Sequence, residues 1–198
     1  MQVLKPEMKK QINTAALEVF FEKGFRDASM KEIASRAEMS VSNMYNYYHS
    51  KQDLFSSLVS PVRTRIFQVL DALVEGEEDH SIAEDSFRPV FEDMLTKKLM
   101  ELFNFDRKVL ILLFDRSIGT PFENTREEMV ERIQLHFTES LPASERDPET
   151  ELLMHIFAAN LLEGLLEIVR HYRGKAQAEK LLQGLIHYHI NGIFPFFK

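Results

Sequence analysis

The chain has 198 residues, 44% of them hydrophobic, and 24 Lys and Arg against 31 Asp and Glu give it a net charge of −7. This length buries a sizeable core in one domain or two small ones. Without cysteine, disulfides and thiolate chemistry are excluded. We find no apolar signal segment, and no apolar run approaches the roughly 18 residues of a membrane span. We therefore expect a soluble, cytoplasmic protein with no membrane partner.

Apolar residues recur with a helical period along most of the chain, and strand-type alternation is not found at convincing length. The pattern predicts an all-α fold of about nine helices. The first is predicted from Pro6 to about Lys23, with Gly24 ending it. Its inward-facing residues are predicted to be Ile12, Ala15, Ala16, Val19 and Phe20.

The segment 29–54 predicts two short helices joined by a tight turn, followed by the start of a third. Ser29 can cap the first helix, and Glu32, three residues later, completes a capping box. Ser40 can cap the second helix, and residues 38–39 leave room only for a turn. Two short capped helices with a polar second helix are typical of a helix-turn-helix unit, which places that second helix in the major groove.

The second of these helices has one packing face and one polar face. Met44 and Tyr48 lie four residues apart on the packing face. Asparagine bonds adenine, serine and tyrosine meet bases or phosphates, and valine contacts the thymine methyl group. The candidates for direct contact are Val41, Ser42, Asn43, Asn46 and Tyr47. With no Lys or Arg from 41 to 48, we predict contacts that favour A/T base pairs, although a solvated face also accounts for the asparagines.

Other residues of the unit are better placed for phosphates, which position a protein without reading sequence. Ser29, Tyr47 and Lys51 are the main candidates. Ser40 is also predicted to contact DNA, and Tyr45 is expected to pack, with its hydroxyl reaching a phosphate. Residues 1–60 contain eight Lys and Arg and seven Asp and Glu. This near-neutral charge implies few phosphate contacts and a need for two such domains.

At these positions the chain resembles the TetR family of bacterial transcriptional regulators. The matching residues are Gly24-Phe25, Ala28-Ser29, Ile33-Ala34, Ala37, Ser40, Met44-Tyr45, Tyr47-Tyr48, Ser50-Lys51 and Leu54. The resemblance covers about residues 7–58 and implies a DNA-binding domain at 1–50 and a larger helical ligand-binding and dimerisation domain at 51–198. Two glycines usual in the family are replaced, by Glu38 in the turn and Ser42 in the second helix.

Further helices are predicted along the rest of the chain. The fourth begins after Ser50 and continues toward Glu75, with a kink or break at Pro61, and an acidic loop follows at 76–79. The next segments are 86–103, 107–117 and a helix opened by Thr120-Pro121 that reaches about Leu141. Asp147-Pro148 starts the eighth helix, which ends near Arg173-Gly174, and the ninth covers about 175–194.

The last two predicted helices are apolar around most of their circumference, which indicates burial on two sides. One side can be the core of the same chain. The other side is most simply a second subunit, which predicts a homodimer with a four-helix interface. A monomer whose own loops cover these faces is the alternative.

The resemblance also implies a cavity for a small-molecule effector among the middle helices. Candidate lining residues are Phe67, Phe91, Phe114, Asp115, Arg116, Phe157, Asn160 and Gly164. Aromatic residues line apolar pockets but also fill ordinary cores. Polar residues among them need partners, which an effector or an internal ion pair could supply. Gly164 would leave space for a ligand.

We find no sequence signature of an enzyme and expect no cofactor. Glu163, Glu167 and His171 have a spacing that could hold a metal, but neighbouring charges explain it more simply, and we predict no metal site. The sequence thus favours a homodimeric repressor that binds a double-stranded, pseudo-palindromic operator and is released by a small apolar effector. An activator that needs a ligand or partner, and an all-α binding protein without DNA affinity, remain alternatives.

Overall fold

A computed structural model describes residues 5–75 and 88–193 of the chain. Within these ranges the fold is all-α, as predicted, with nine α-helices and no strand. The helices are α1 Pro6–Asp27, α2 Met30–Arg36, α3 Val41–Met44, α4 Lys51–Glu75, α5 Arg88–Met100, α6 Arg107–Asp115, α7 Thr125–Glu139, α8 Pro148–His171 and α9 Lys175–Ile193. Short 3-10 helices cover Glu101–Asn104 and Ala143–Glu145. The acidic loop predicted at 76–79, the first two residues of the helix predicted at 86–103 and the predicted last residue of α9, Phe194, lie outside the described residues.

The chain forms two compact units. The first contains the residues up to Arg65 together with Asp106–Thr125, and the second contains Ile66–Phe105 and the residues from Arg126 onward. Helix α4 therefore contributes to both units. The functional boundary predicted between residues 50 and 51 remains a prediction, since units defined by packing need not coincide with functional domains.

The first unit is built on α1, whose regular helix is interrupted at Gly24, the predicted end, although the helical segment continues after this kink to Asp27. Gly24 is buried and has a φ of +78°, a left-handed conformation that glycine adopts without strain. All five residues predicted to face inward from α1 are buried. They join an aromatic cluster in which the Phe55 ring lies 5.1 Å from Phe20, 5.2 Å from Phe25 and 6.3 Å from Phe122, measured between ring centroids. This core fixes the start of α4 against α1.

One of the two outcomes predicted at Pro61, a break, does not occur, and the helix predicted to open at Thr120-Pro121 is wrong. Helix α4 runs through Pro61 without the predicted break, since Val59 and Val62 on either side are buried and Pro61 itself is exposed. Thr120-Pro121 opens a turn rather than a helix, and α7 begins only at Thr125. The Thr120 hydroxyl donates to the Ser117 carbonyl at 2.6 Å and accepts from the Phe122 amide at 3.1 Å, which stabilises that turn.

The second unit centres on α8 and α9. Asp147 caps α8 as predicted, because its carboxylate accepts a hydrogen bond from the Thr150 amide at 2.8 Å. The buried stripes of the two helices pack together, with Met154, Ala158, Leu162, Leu182 and Ile186 at most 3% exposed. Helix α8 is long and apolar enough to span a membrane by length and composition. One such helix is weak support for a span, because core helices of soluble proteins share these properties.

Candidate DNA interface

The first helix of the helix-turn-helix unit, α2, starts at the predicted cap. The Ser29 hydroxyl accepts a hydrogen bond from the Glu32 amide at 3.2 Å and donates one to the Glu32 carboxylate at 3.0 Å. This arrangement satisfies one of the unpaired amides at the start of the helix. The proton of the Ser29 hydroxyl is already donated to the Glu32 carboxylate. A phosphate contact by Ser29, as predicted, would therefore compete with this hydrogen bond.

The turn between α2 and α3 is closed by two backbone hydrogen bonds. The Glu38 amide donates to the Ser35 carbonyl at 3.1 Å, and the Met39 amide donates to the Ala34 carbonyl at 3.0 Å. This is the pattern of a Schellman motif, which requires a left-handed residue after the helix cap. Glu38 takes that position with a φ of +52°. The family's turn glycine is thus replaced by a residue that is strained at this position.

Helix α3 is a single turn anchored by two buried side chains. The Ser40 hydroxyl caps it by accepting from the Asn43 amide at 3.1 Å, as predicted. Met44 is fully buried and Tyr48 is 3% exposed, so both pack as predicted, but α3 ends at Met44 and the predicted helix is shorter than expected. The remaining candidates lie outside the core: Ser42, Tyr45 and Asn46 are exposed, and Val41, Asn43 and Tyr47 are half-buried.

Asn46 makes a weak side-chain hydrogen bond within this face, and Tyr45 is exposed. The Asn46 amide donates to the Asn43 side-chain oxygen at 3.4 Å, a long hydrogen bond that costs little to exchange for a base. Tyr45 is 46% exposed, so the expectation that it packs is wrong. The face formed by α3 and the following turn therefore presents amide and hydroxyl groups to solvent.

The N-terminal segment and α1 brace this unit at three points that sequence reasoning missed. The Gln11 amide donates to the Ala37 carbonyl at 2.8 Å beside the turn, and the Tyr48 hydroxyl donates to the Asn13 side-chain oxygen. The Lys5 amide donates to the Tyr47 hydroxyl at 3.3 Å, which leaves the hydroxyl proton of Tyr47 available for a phosphate. Polar residues on either side of the buried Ile12 were the only signal in the sequence.

Lys23 of α1 and Arg36 of α2 each pair with a carboxylate on the other helix. The Arg36 guanidinium forms a bidentate ion pair with the Glu22 carboxylate, with N–O distances of 2.6 and 3.0 Å, and Lys23 pairs with Glu32. The hydrogen bond from Arg36 lowers the pKa of Glu22, and the bonds from Lys23 and then Ser29 lower the pKa of Glu32. These pairs connect α1 to α2 and balance charge within the unit, which agrees with the near-neutral composition of the segment.

Comparison with known proteins identifies this unit. Residues 12–58 match the model of the bacterial regulatory proteins of the tetR family. Residues 12–58 therefore form a TetR-type helix-turn-helix domain. The chain's similarity to the uncharacterized HTH-type transcriptional regulator YdgC of Bacillus subtilis is 29% identity over 68 residues, or 34% of the chain and 35% of that protein. The matches to curated relatives thus span about a third of those relatives' lengths.

The whole chain also shares its fold with solved TetR-like structures. A TetR-like transcriptional regulator from Rhodococcus sp. RHA1 superposes with a TM-score of 0.63 at 21% identity, covering 96% of this chain and 100% of that one. The structure of AibR in complex with isovaleryl coenzyme A and operator DNA gives a TM-score of 0.60 at 15% identity, covering 91% and 97%. At these identities the solved structures show a shared fold alone, and the regulatory role rests on the domain matched at residues 12–58. The TetR domain therefore supports a DNA-binding regulator.

Three of the candidate effector residues belong to the first unit. Phe114 and Asp115 are half-buried at the end of α6, and Arg116 is exposed. The Arg116 carbonyl accepts a hydrogen bond from the Phe25 amide at 3.1 Å, and its side chain lies near Gly24. The structure thus gives Arg116 a backbone role beside α1, and its part in effector binding remains a prediction.

The other five candidates belong to the second unit. Phe91 is buried, and Phe67 and Phe157 are half-buried. Asn160 is exposed, so the argument that a buried polar group needs a partner does not apply to it within one chain. The space expected beside Gly164 is already filled, because a Cβ added there would lie 2.6 Å from Cδ1 of Leu185. Gly164 therefore allows close packing of α8 on α9.

Glu163, Glu167 and His171 on α8 have the spacing of metal ligands, and their contacts match the simpler interpretation, pairing with neighbouring charged residues. Glu163 binds Arg126 and Arg170, the latter at 2.6 Å, and Glu167 binds Arg170 at 2.6 Å. His171 lies 3.3 Å from the other oxygen of Glu167. Among the described residues, no group of three or more potential ligands is placed to hold a metal ion.

Proposed function

We propose that the protein is a cytoplasmic, homodimeric transcriptional repressor that binds a pseudo-palindromic operator and is released from it by a small apolar effector. The observation that carries the proposal is the geometry of α3. Two buried anchors, Met44 and Tyr48, hold it, and its polar residues face outward in a unit of two serine-capped helices. A helix held in this way has the geometry for reading the major groove.

The outward-facing residues of α3 and the following turn are each assigned an operator contact from the chemistry of their side chains. Asn43 and Asn46 are the residues we propose for adenine, Val41 for a thymine methyl group, and Ser42 and Tyr45 for bases or phosphates at the edge. Tyr47 is proposed for a phosphate, with its hydroxyl held by the Lys5 amide. A single short helix makes few contacts, so specific affinity requires two copies on one face of the DNA.

The second copy is proposed to dock on α8 and α9. Their outward faces carry Leu152 at 60% exposure, Ile156 at 44%, Leu181 at 43% and Tyr188 at 71%. Leu152, Ile156 and Asn160 follow one another at intervals of four residues, so they form one stripe along α8. Large apolar side chains exposed in such a stripe favour burial against a symmetric partner.

Release by an effector is supported more indirectly. The second unit contains Phe67, Phe91 and Phe157, whose aromatic surface suits an apolar molecule. The similar fold of AibR was solved with isovaleryl coenzyme A and operator DNA together. An effector shifts the protein off DNA only to the extent that it prefers the unbound form. An activator would show the opposite response to the same effector.

The proposal is tested with a duplex recovered by selection from random DNA. Fluorescence anisotropy should show that Asn43→Ala combined with Asn46→Ala loses affinity for this duplex by roughly tenfold or more, since each good base contact discriminates by about 1–3 kcal/mol. Affinity for random duplex should stay unchanged. Gln68→Ala is the matched control, because Gln68 is an exposed amide side chain on α4 within the second unit, and it should bind both duplexes as the wild type does.

Equal loss on both duplexes would contradict base reading by the two asparagines. Adding candidate apolar compounds to the specific complex then separates the regulatory modes. Dissociation supports a repressor released by its effector, and tighter binding supports an activator. A folded dimer that binds no duplex at low salt would refute the proposed function and leave an all-α binding protein.

A further inference from the structure

Lys51, at the first position of α4, has its ammonium group enclosed by backbone carbonyls. Its Nζ lies 2.7 Å from the Phe25 carbonyl oxygen, 3.1 Å from that of Arg26 and 2.8 Å from that of Ala28. The same nitrogen lies 4.4 Å from the centroid of the Phe25 ring. An ammonium group has three N–H donors, so these three carbonyls use all of them.

The three carbonyls belong to the corner between α1 and α2. The carbonyls of Phe25, Arg26 and Ala28 follow the left-handed Gly24, where the regular run of α1 is interrupted. Lys51 supplies donors to all three from the start of α4. It thereby connects the end of α1, the segment leading to the Ser29 cap of α2, and α4, all within the first unit.

We propose that Lys51 is a positioning residue of the DNA-binding domain rather than a phosphate contact. Its ammonium fixes the α1–α2 corner on α4, and the corner sets the placement of α2 and therefore of α3. This replaces the phosphate contact predicted for Lys51 from the sequence. A phosphate would have to displace neutral carbonyls that already take every donor. The inference rests on the proposed DNA-binding function and specifies how its reading helix is held.

Two substitutions separate positioning from phosphate contact. Lys51→Arg keeps the positive charge, but a planar guanidinium cannot direct three donors at three converging carbonyls as an ammonium does. Lys51→Met keeps a long flexible stem and removes the charge. Lys31→Met is the control, because Lys31 is an exposed lysine of α2 in the same unit. Binding is measured to the selected duplex and to random duplex over a range of salt concentrations.

Both Lys51 variants should bind the selected duplex roughly tenfold more weakly, the effect of losing one good base contact. Binding to random duplex and the slope of log affinity against log salt should stay unchanged. Wild-type affinity in Lys51→Arg would overturn the proposal. A slope reduced by about 0.9 in Lys51→Met on both duplexes would do the same, because each phosphate contact contributes about that much. Wild-type binding by both variants would show a role in stability alone and would also overturn it.

Thermal unfolding without DNA distinguishes failure of this inference from failure of the proposed function. Lys51→Met should unfold roughly 4 °C or more below Lys31→Met, since it leaves three carbonyls without their charged donor. If Lys51→Met does not fold, Lys51→Arg serves for the comparison. An unchanged midpoint with intact DNA binding overturns the role of Lys51 alone. If Lys51→Met has a lowered midpoint but the wild-type protein binds no duplex, the contact of Lys51 with the corner is confirmed. The DNA-binding function is then refuted, and the positioning role of Lys51 with it.

Discussion

Replacing Glu38 by glycine should stabilise the protein. Glu38 is the only described non-glycine residue with a positive φ, +52°, and it occupies the left-handed position of the Schellman motif that ends α2. A side chain in this conformation costs about 1–2 kcal/mol, because Cβ approaches the following carbonyl oxygen. Glycine removes that contact and leaves both backbone hydrogen bonds of the turn in place.

The expected gain is smaller than the strain. Glycine gives the unfolded chain more freedom, which lowers stability by about 0.4–1 kcal/mol. Subtracting this loss from the strain relieved leaves a net gain in the free energy of unfolding of about 0–1.6 kcal/mol, with a central value of about 1 kcal/mol. For a chain of this length, 1 kcal/mol raises the unfolding midpoint by about 2–4 °C.

Thermal unfolding followed by circular dichroism measures this change, with all variants at one protein concentration because dimerisation is proposed. Glu38→Ala is the matched control, since it removes the carboxylate but keeps the Cβ that causes the strain. Glu38→Asn should fall between the two, because asparagine tolerates the left-handed region. If Glu38→Gly is no more stable than Glu38→Ala, the assignment of backbone strain to this turn is wrong.

Three further predictions concern pH, packing and assembly. The Arg36 hydrogen bond lowers the pKa of Glu22, so the stability it provides is present above the ordinary pKa of 4.5 and is lost as the pH falls below it; unfolding midpoints of Glu22→Gln should vary less with acid pH than those of the wild type. Gly164→Ala should lower the free energy of unfolding more in the wild type than in a Leu185→Ala background, because the added methyl group meets Leu185. In a double-mutant cycle this difference should be about 1 kcal/mol or more. Leu152→Asp should shift the protein from dimer to monomer in light scattering, since it places a charge on the exposed α8 stripe; an unchanged dimer would place the interface elsewhere.

Local signals in the sequence predicted the frame of the candidate site well. The caps at Ser29, Ser40 and Asp147 depend on hydrogen bonds within three residues, so short-range chemistry was enough to find them. Met44 and Tyr48 are both buried as predicted, although α3 ends at Met44 and Tyr48 lies beyond the turn that follows it.

Features that depend on distant parts of the chain could not be predicted in this way. The carbonyls around Lys51 come from residues more than twenty positions earlier, so its sequence context indicated only an exposed cation near DNA. The space beside Gly164 is filled by Leu185 from the next helix. Pro61 remains within α4 because buried neighbours hold the helix on both sides of it.

The central claim is that two copies of α3 read a symmetric operator. Selection of bound sites from random duplex DNA by the purified protein tests this claim most directly. We expect recovery of a two-fold symmetric motif whose half-sites are centred about one helical turn, or a multiple of it, apart and favour A/T base pairs. Recovery of no motif by the folded protein at low salt, or of a motif without two-fold symmetry, would contradict the account.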